Sequence, residues 1–169
     1  MAKEESYIIA AIVEHKPGVL YRVSNMFRRR GFNIESITVG PTEQEDLARM
    51  TITVNGDETV VEQVVKQMRK LIDVVKVRRL DPGTAVIREM ALVKVHTPDA
   101  RVRSDIINYA NIFRARVVDV STDMLMIEIT GDSDKINAFL DLMKPFGLEE
   151  MARTGITALS RGTRSVRME

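Results

Sequence analysis

Residues 7–13 form an almost unbroken apolar run, the pattern of a strand buried on both faces. Lys16 precedes Pro17 and is pushed toward extended geometry, which ends that strand. From Val19 the spacing changes. Val19, Leu20, Val23, Met26 and Phe27 share one helical face. Arg28, Arg29 and Arg30 set positive charge at the negative end of that helix, and Gly31 supplies its stop. Ile34, Ile37 and Val39 predict a second strand, followed by a polar, acidic turn over 41–46. Met50, Ile52 and Val54 alternate with Thr51, Thr53 and Asn55, which predicts a half-buried third strand. Asp57 is an N-cap candidate for a helix with the apolar stripe Val60, Val61, Val64, Val65, Met68, Leu71 and Ile72. Val74, Val75 and Val77 predict a fourth strand. The unit reads βαββαβ, the ferredoxin-like split motif.

The pattern then repeats. His15-Lys16-Pro17-Gly18 ends one apolar run and opens a helix, and His96-Thr97-Pro98-Asp99 does the same 81 positions later. Gly56-Asp57 and Gly131-Asp132 each introduce an amphipathic helix. The second copy runs through a strand over 90–95, a helix marked by Val102, Ile106, Ile107, Ala110 and Phe113, and two strands carrying Val117, Val118, Val120 and Leu125, Ile127, Ile129. Ile136, Phe139, Leu140 and Met143 mark its last helix. Residues 151–159 pair as an edge strand, and the basic end from Ser160 is expected to be mobile. The expected class is therefore α+β, with two tandem ferredoxin-like βαββαβ units: a first domain over 1–80, a linker over 81–87 and a second domain over 88–169.

Composition narrows the function classes. The chain has 169 residues, 29% charged, with a formal net charge of +1, which gives no bulk electrostatic case for nucleic acid or membrane. It contains no cysteine, so disulfides, thiolate zinc sites and thiol catalysis are excluded, and a reducing, cytoplasmic setting is expected. Aromatic residues are 5%, too few for the stacking platform with which ferredoxin-like sheets hold RNA. No phosphate-binding glycine loop, metal-ligand pair or nucleophile context occurs, so no catalytic residue and no metal ligand is expected. The arginine run 28–30 reads as a solvated helix end. A sheet with both helices on one side leaves its other face bare, and the first strand is apolar on both sides. That predicts association with another copy.

The turn at Pro17-Gly18 is the best binding candidate. A helix beginning there offers free backbone N–H groups and the positive end of its dipole. Two readings fit Gly18. It lets a ligand carboxylate approach the backbone, or it merely relieves strain in a tight turn. His15 could orient an ammonium group. In the second copy Asp99 holds the Gly18 position, where its carboxylate would cap the helix and repel an anion. If either unit binds an amino acid through this turn, it is therefore the first, and His96 reads as an ordinary polar strand end.

These residues carry a resemblance. PGVLYRV at 17–23, RGFNIES at 30–36, ARMTI at 48–52, KLIDV at 70–74 and REMALVK at 88–94 resemble the small regulatory subunits of acetohydroxyacid (acetolactate) synthase, with an N-terminal ACT domain. The likeness runs from about Tyr7 to Gly162 and includes RTG at 153–155 and LSRG at 159–162. It implies a subunit with no catalysis of its own that binds a large catalytic subunit, raises its activity and confers feedback inhibition in branched-chain amino acid synthesis. Thiamine diphosphate, magnesium and FAD would belong to the large subunit and none to this chain. The implied effector is valine, with leucine and isoleucine as alternatives. The implied site lies between the ACT domains of a homodimer, with Gly18, Val19 and Leu20 of one chain facing Asn33 and Ile34 of the other. Thr38, Gly40 and Gln63 match positions associated with feedback sensitivity. His15 departs from the family, in which many members have Asn, and this bears on which effector fits. The rival reading is a stand-alone ACT-type amino-acid-sensing regulator, against which no helix-turn-helix remains once both units are assigned.

Overall fold

A computed structural model describes residues 5–163 and Val166. The chain forms two compact units. The first takes the described residues up to Ile87 together with those from Ile156, and the second is Arg88–Gly155.

In the first unit, β1 (Glu5–Glu14) leads through a turn into α1 (Val19–Arg30), β2 (Ser36–Pro41), β3 (Leu47–Gly56), α2 (Glu58–Met68) and β4 (Val74–Leu80). The antiparallel sheet has the order β2-β3-β1-β4, as a βαββαβ unit requires. Tyr7, Ile9, Ala11 and Val13 of β1 face the helices and meet Val23, Phe27, Val64 and Met68 in the core. Gly31 closes α1 in the left-handed conformation, φ 70°, and its N–H donates back to the last turn. Asp57 caps α2 as predicted, accepting from Val60 N at 2.9 Å. The predicted α2 stripe runs too far. The helix ends at Met68, and Ile72 stands 88% exposed in the connection to β4.

The outer face of this sheet is not bare. A single 3-10 turn (Pro82–Thr84) follows β4, and β5 (Ala85–His96) begins five residues before the predicted strand. The chain returns at Ile156 and forms β9 (Thr157–Ser160), which pairs with β5. Ala158 and Val166 are buried against Ile8, Ala10, Ile12 and Leu80. Thr38 Oγ1 donates to the Ile156 carbonyl at 2.9 Å, and Arg49 Nη2 donates to that of Ala158 at 2.7 Å. This cover corrects three expectations. The second domain does not extend to Glu169, because the apolar residues from Ile156 find their partners on the first sheet. The third strand is buried on both faces, Thr51 and Thr53 included, and Thr53 shares a 2.6 Å hydrogen bond with Ser36. In the basic end, expected to be mobile, Val166 is buried. Arg164, Ser165 and residues 167–169 lie outside the described residues.

The second unit repeats the plan with β5, α3 (Ala100–Ile112), β6 (Arg116–Val120), β7 (Met124–Gly131), α4 (Ser133–Gly147) and β8 (Leu148–Arg153). Its strand order is β6-β7-β5-β8, and Ala91, Val93, Ile106, Ile127 and Phe139 lie in its core. The predicted edge strand over 151–159 is two strands, interrupted at residues 154–156. Glu89 is buried and receives two hydrogen bonds from Arg153, at 2.9 and 2.6 Å, and one from Ser133 at 3.1 Å. Arg153 also donates to Asn137 at 2.8 Å. That cluster fastens edge strand β8 to β5 and α4.

Candidate functional site

The two strand-to-helix turns differ in length. Glu14 ends β1 and Val19 opens α1, leaving four residues, 15–18. His96 ends β5 and Ala100 opens α3, leaving three, 97–99. Backbone hydrogen bonds align the two. His15 N donates to Asp46 O, and Thr97 N donates to Asp123 O. The two histidines are therefore not equivalent, contrary to their spacing in sequence. His96 is the last residue of a strand, paired with Met124, and Glu14 holds that place in the first unit, paired with Leu47. His15 lies beyond the strand, exposed.

Gly18 and Asp99 do occupy the same place, the N-cap. Gly18 sits at φ 88°, ψ −12°, and no side chain caps α1. Its first turn also contains no acid, so the dipole's positive end is uncompensated there. A Cβ built on Gly18 meets nothing within 4 Å, so the space above the turn is open. The left-handed φ is nonetheless one that favours glycine. Both readings of Gly18 thus have a physical basis in the same residue. Asp99 has extended backbone geometry and accepts from Val102 N at 2.9 Å. Its carboxylate fills the position that the first unit leaves open.

Side chains around the first turn form an ion cluster that sequence reasoning missed. Asp73, at the entry to β4, is 1% exposed. Lys16 Nζ lies 3.0 Å from its Oδ1, and Arg22 Nη1 donates to its Oδ2 at 2.6 Å. Lys16 also pairs with Glu14, and Glu14 N donates to the Asp73 carbonyl at 2.9 Å. The hydrogen bond from Lys16 holds the Asp73 carboxyl below its ordinary value. Burial opposes that shift, and Arg22 adds to it. Lys16 is held above its ordinary value, first by Glu14 and then by Asp73. No periodicity could have shown this, since Asp73 is far from the turn in sequence. The only signal was a lone acid in the otherwise apolar stretch 71–75.

The predicted site residues do not all meet within one chain. Val19 is buried in the core, and Leu20 and Tyr21 are exposed beside Gly18. Asn33 and Ile34 follow the far end of α1. The twelve residues of α1 separate Gly18 from Asn33, about 18 Å at 1.5 Å per residue. Ile34 packs against the core just before β2 rather than within it. Thr38 and Gly40 lie on β2, which pairs only with β3 among the described residues. Gly40 is level with Arg49, and Gln63 is exposed on α2. A hollow of about 650 Å³ in the second unit, between α4 and β8, contains none of these residues. Among the described residues, no cluster of His, Cys, Asp or Glu is fit to hold a metal, and no helix is long and apolar enough to cross a membrane.

Comparison with known proteins places this arrangement. Residues 88–162 match the family model described as the small subunit of acetolactate synthase, and residues 9–76 match the ACT domain of such small subunits. A probable acetolactate synthase small subunit of Methanothermobacter thermautotrophicus is 59% identical over 162 residues, covering 96% of each chain. The acetolactate synthase small subunit of Mycolicibacterium smegmatis is 48% identical over 161 residues, covering 95% of this chain and 94% of that one. The crystal structure of the small subunit from Thermotoga maritima superposes with a TM-score of 0.88 at 44% identity, covering 95% of this chain and 99% of that one. With an ACT unit in front and the matching second unit behind, the chain belongs to the acetolactate synthase small-subunit family.

Proposed function

We infer that this chain is the regulatory partner of a large acetolactate synthase subunit, whose activity it raises and makes sensitive to valine. Thiamine diphosphate, magnesium and FAD are then matters of the large subunit, and this chain contributes effector binding and contact. The observation that carries the effector half of the reading is the contrast between the two N-caps. Gly18 leaves the α1 amides and dipole open, whereas Asp99 closes their counterpart with its own carboxylate.

The separation of Gly18 from Asn33 supports a site shared between two chains. A ligand the size of valine cannot span about 18 Å, so the Asn33 and Ile34 side must come from a second copy. Among the described residues strand β2 is paired on one side only and exposes Val39, which suits continuation of the sheet across a twofold axis. The second unit, whose corresponding turn is closed, is assigned to contact with the large subunit.

Gly18→Asp tests the reading. The new carboxylate takes the place of the ligand's and repels it. A side chain at the left-handed Gly18 costs about 1 kcal/mol, and a Cβ there meets nothing within 4 Å, so the fold persists. Calorimetry is expected to show valine binding lost, with activation of the large subunit retained. Unchanged valine affinity would overturn the assignment.

A further inference from the structure

The carboxylates around the two strand-to-helix turns have exchanged places. Val13 pairs with Val74 in the first unit, and Val95 pairs with Leu148 in the second. Asp73 and Gly147, the residues before Val74 and Leu148, are therefore structural counterparts. The first unit has glycine at the cap and a buried acid behind it. The second has an acid at the cap and Gly147 behind it, with φ 91°. The arginines diverge accordingly. Arg22 turns to Asp73, while Arg103 donates to the carbonyls of Ser121 and Thr122. Asp73 thus belongs to the open turn specifically and is not a feature of the repeat.

Two consequences follow from its contacts. Lys16 and Arg22 flank Gly18 on either side, and both are tied to one buried carboxylate. The glycine between them is thereby held at a fixed position although it has no side chain to anchor it. The charges also balance, because Glu14 and Asp73 cancel Lys16 and Arg22. Without the two acids the turn would present two cations in addition to the helix dipole, a general trap for anions. With them, the approaching ligand meets a neutral surround and a directional set of amides.

We propose that Asp73 is the positioning and selectivity residue of the effector turn. It fixes Lys16 and Arg22 and cancels their charge, so the turn accepts a zwitterionic amino acid and discriminates against the 2-oxo acid with the same side chain. This rests on the Gly18 reading above.

The experiment measures the affinities of the full chain for valine and for 3-methyl-2-oxobutanoate, its 2-oxo analogue, by calorimetry. Asp73→Asn leaves the turn with one excess positive charge. The preference for valine is expected to fall about tenfold, roughly what one unit charge within about 8 Å supplies in a partly solvated site. Lys16→Gln has the opposite sign and removes only a half-exposed side chain, so its preference for valine is expected to rise by a similar factor. A merely structural role for Asp73 would weaken both ligands alike and leave their ratio unchanged. A ratio unchanged in both variants overturns the proposal. If Asp73→Asn does not fold, the Lys16→Gln ratio decides alone. Gly18→Asp separates the two levels. If it retains valine binding, the site itself is misassigned. If it loses valine while the ratios in the other variants stay fixed, only the role of Asp73 falls.

Discussion

Arg153→Met probes the cluster that fastens the end of the second unit. Methionine keeps most of the aliphatic packing of the arginine stem while removing its charge and its donors. Glu89, buried on β5, then loses two charge-assisted hydrogen bonds and keeps only the one from Ser133. Removing one partner of a buried pair costs about 3–5 kcal/mol, and the 28% exposure of the Arg153 side chain argues for the lower end. An expected cost of about 3 kcal/mol is a large share of the stability of a unit this size. The double variant Glu89→Gln with Arg153→Met removes the stranded charge and should recover about 2 kcal/mol, since a neutral amide still accepts from Ser133. Urea unfolding of the full chain measures the total. Hydrogen exchange at Ile127 and Ile129, in the middle of β7, reports the second unit by itself. A cost below about 1 kcal/mol for Arg153→Met, or a double variant no more stable than the single one, refutes the claim that the ion pair holds Glu89 in place.

Other expectations concern the first unit. Thr38→Val strands the Ile156 carbonyl and is expected to cost about 1 kcal/mol, read from urea midpoints, with faster hydrogen exchange in β9. Ending the chain after Gly155 uncovers Ile8, Ala10, Ile12 and Leu80, so the truncated protein should bind a hydrophobic dye and associate in sedimentation experiments, which the full chain should not do through this face. Asp99→Ala removes the cap of α3 and should cost about 1 kcal/mol in thermal unfolding. Asp73 has a carboxyl lowered from 3.8, so the stability it adds is complete above about pH 4 and is lost as pH falls through its lowered native value; Asp73→Asn should flatten the acid limb of a melting-temperature profile. Lys16, raised above 10.5, acts with the opposite sign: its contribution is complete below that value and is lost only as pH rises past it.

Much of this was legible in the chain itself, for a local reason. Hydrophobic period, caps and glycine stops are written within a few residues of one another. The helices α1 and α2, the caps Asp57 and Asp99, and the doubling of the βαββαβ unit therefore needed no tertiary knowledge. Where reading failed, the competing cause was remote. Ile72 continued the α2 period but fell beyond the helix end, where the chain turns to deliver Asp73 to the buried cluster. The alternation in β3 implied one wet face, which β9 covers from more than a hundred residues away.

The sequence by itself determined the two units, their order and the contrast between Gly18 and Asp99, because each depends on the intrinsic geometry and hydrogen-bonding reach of a short segment. Tertiary structure alone decided what surrounds that contrast. It set the one-residue difference between the two turns, which separates His15 from His96. It brought Asp73 to Lys16 and Arg22 and returned the C-terminal segment to the first sheet. Each of these joins residues that no periodicity relates, through strand register, buried charge and apolar area that exist only once the chain has packed.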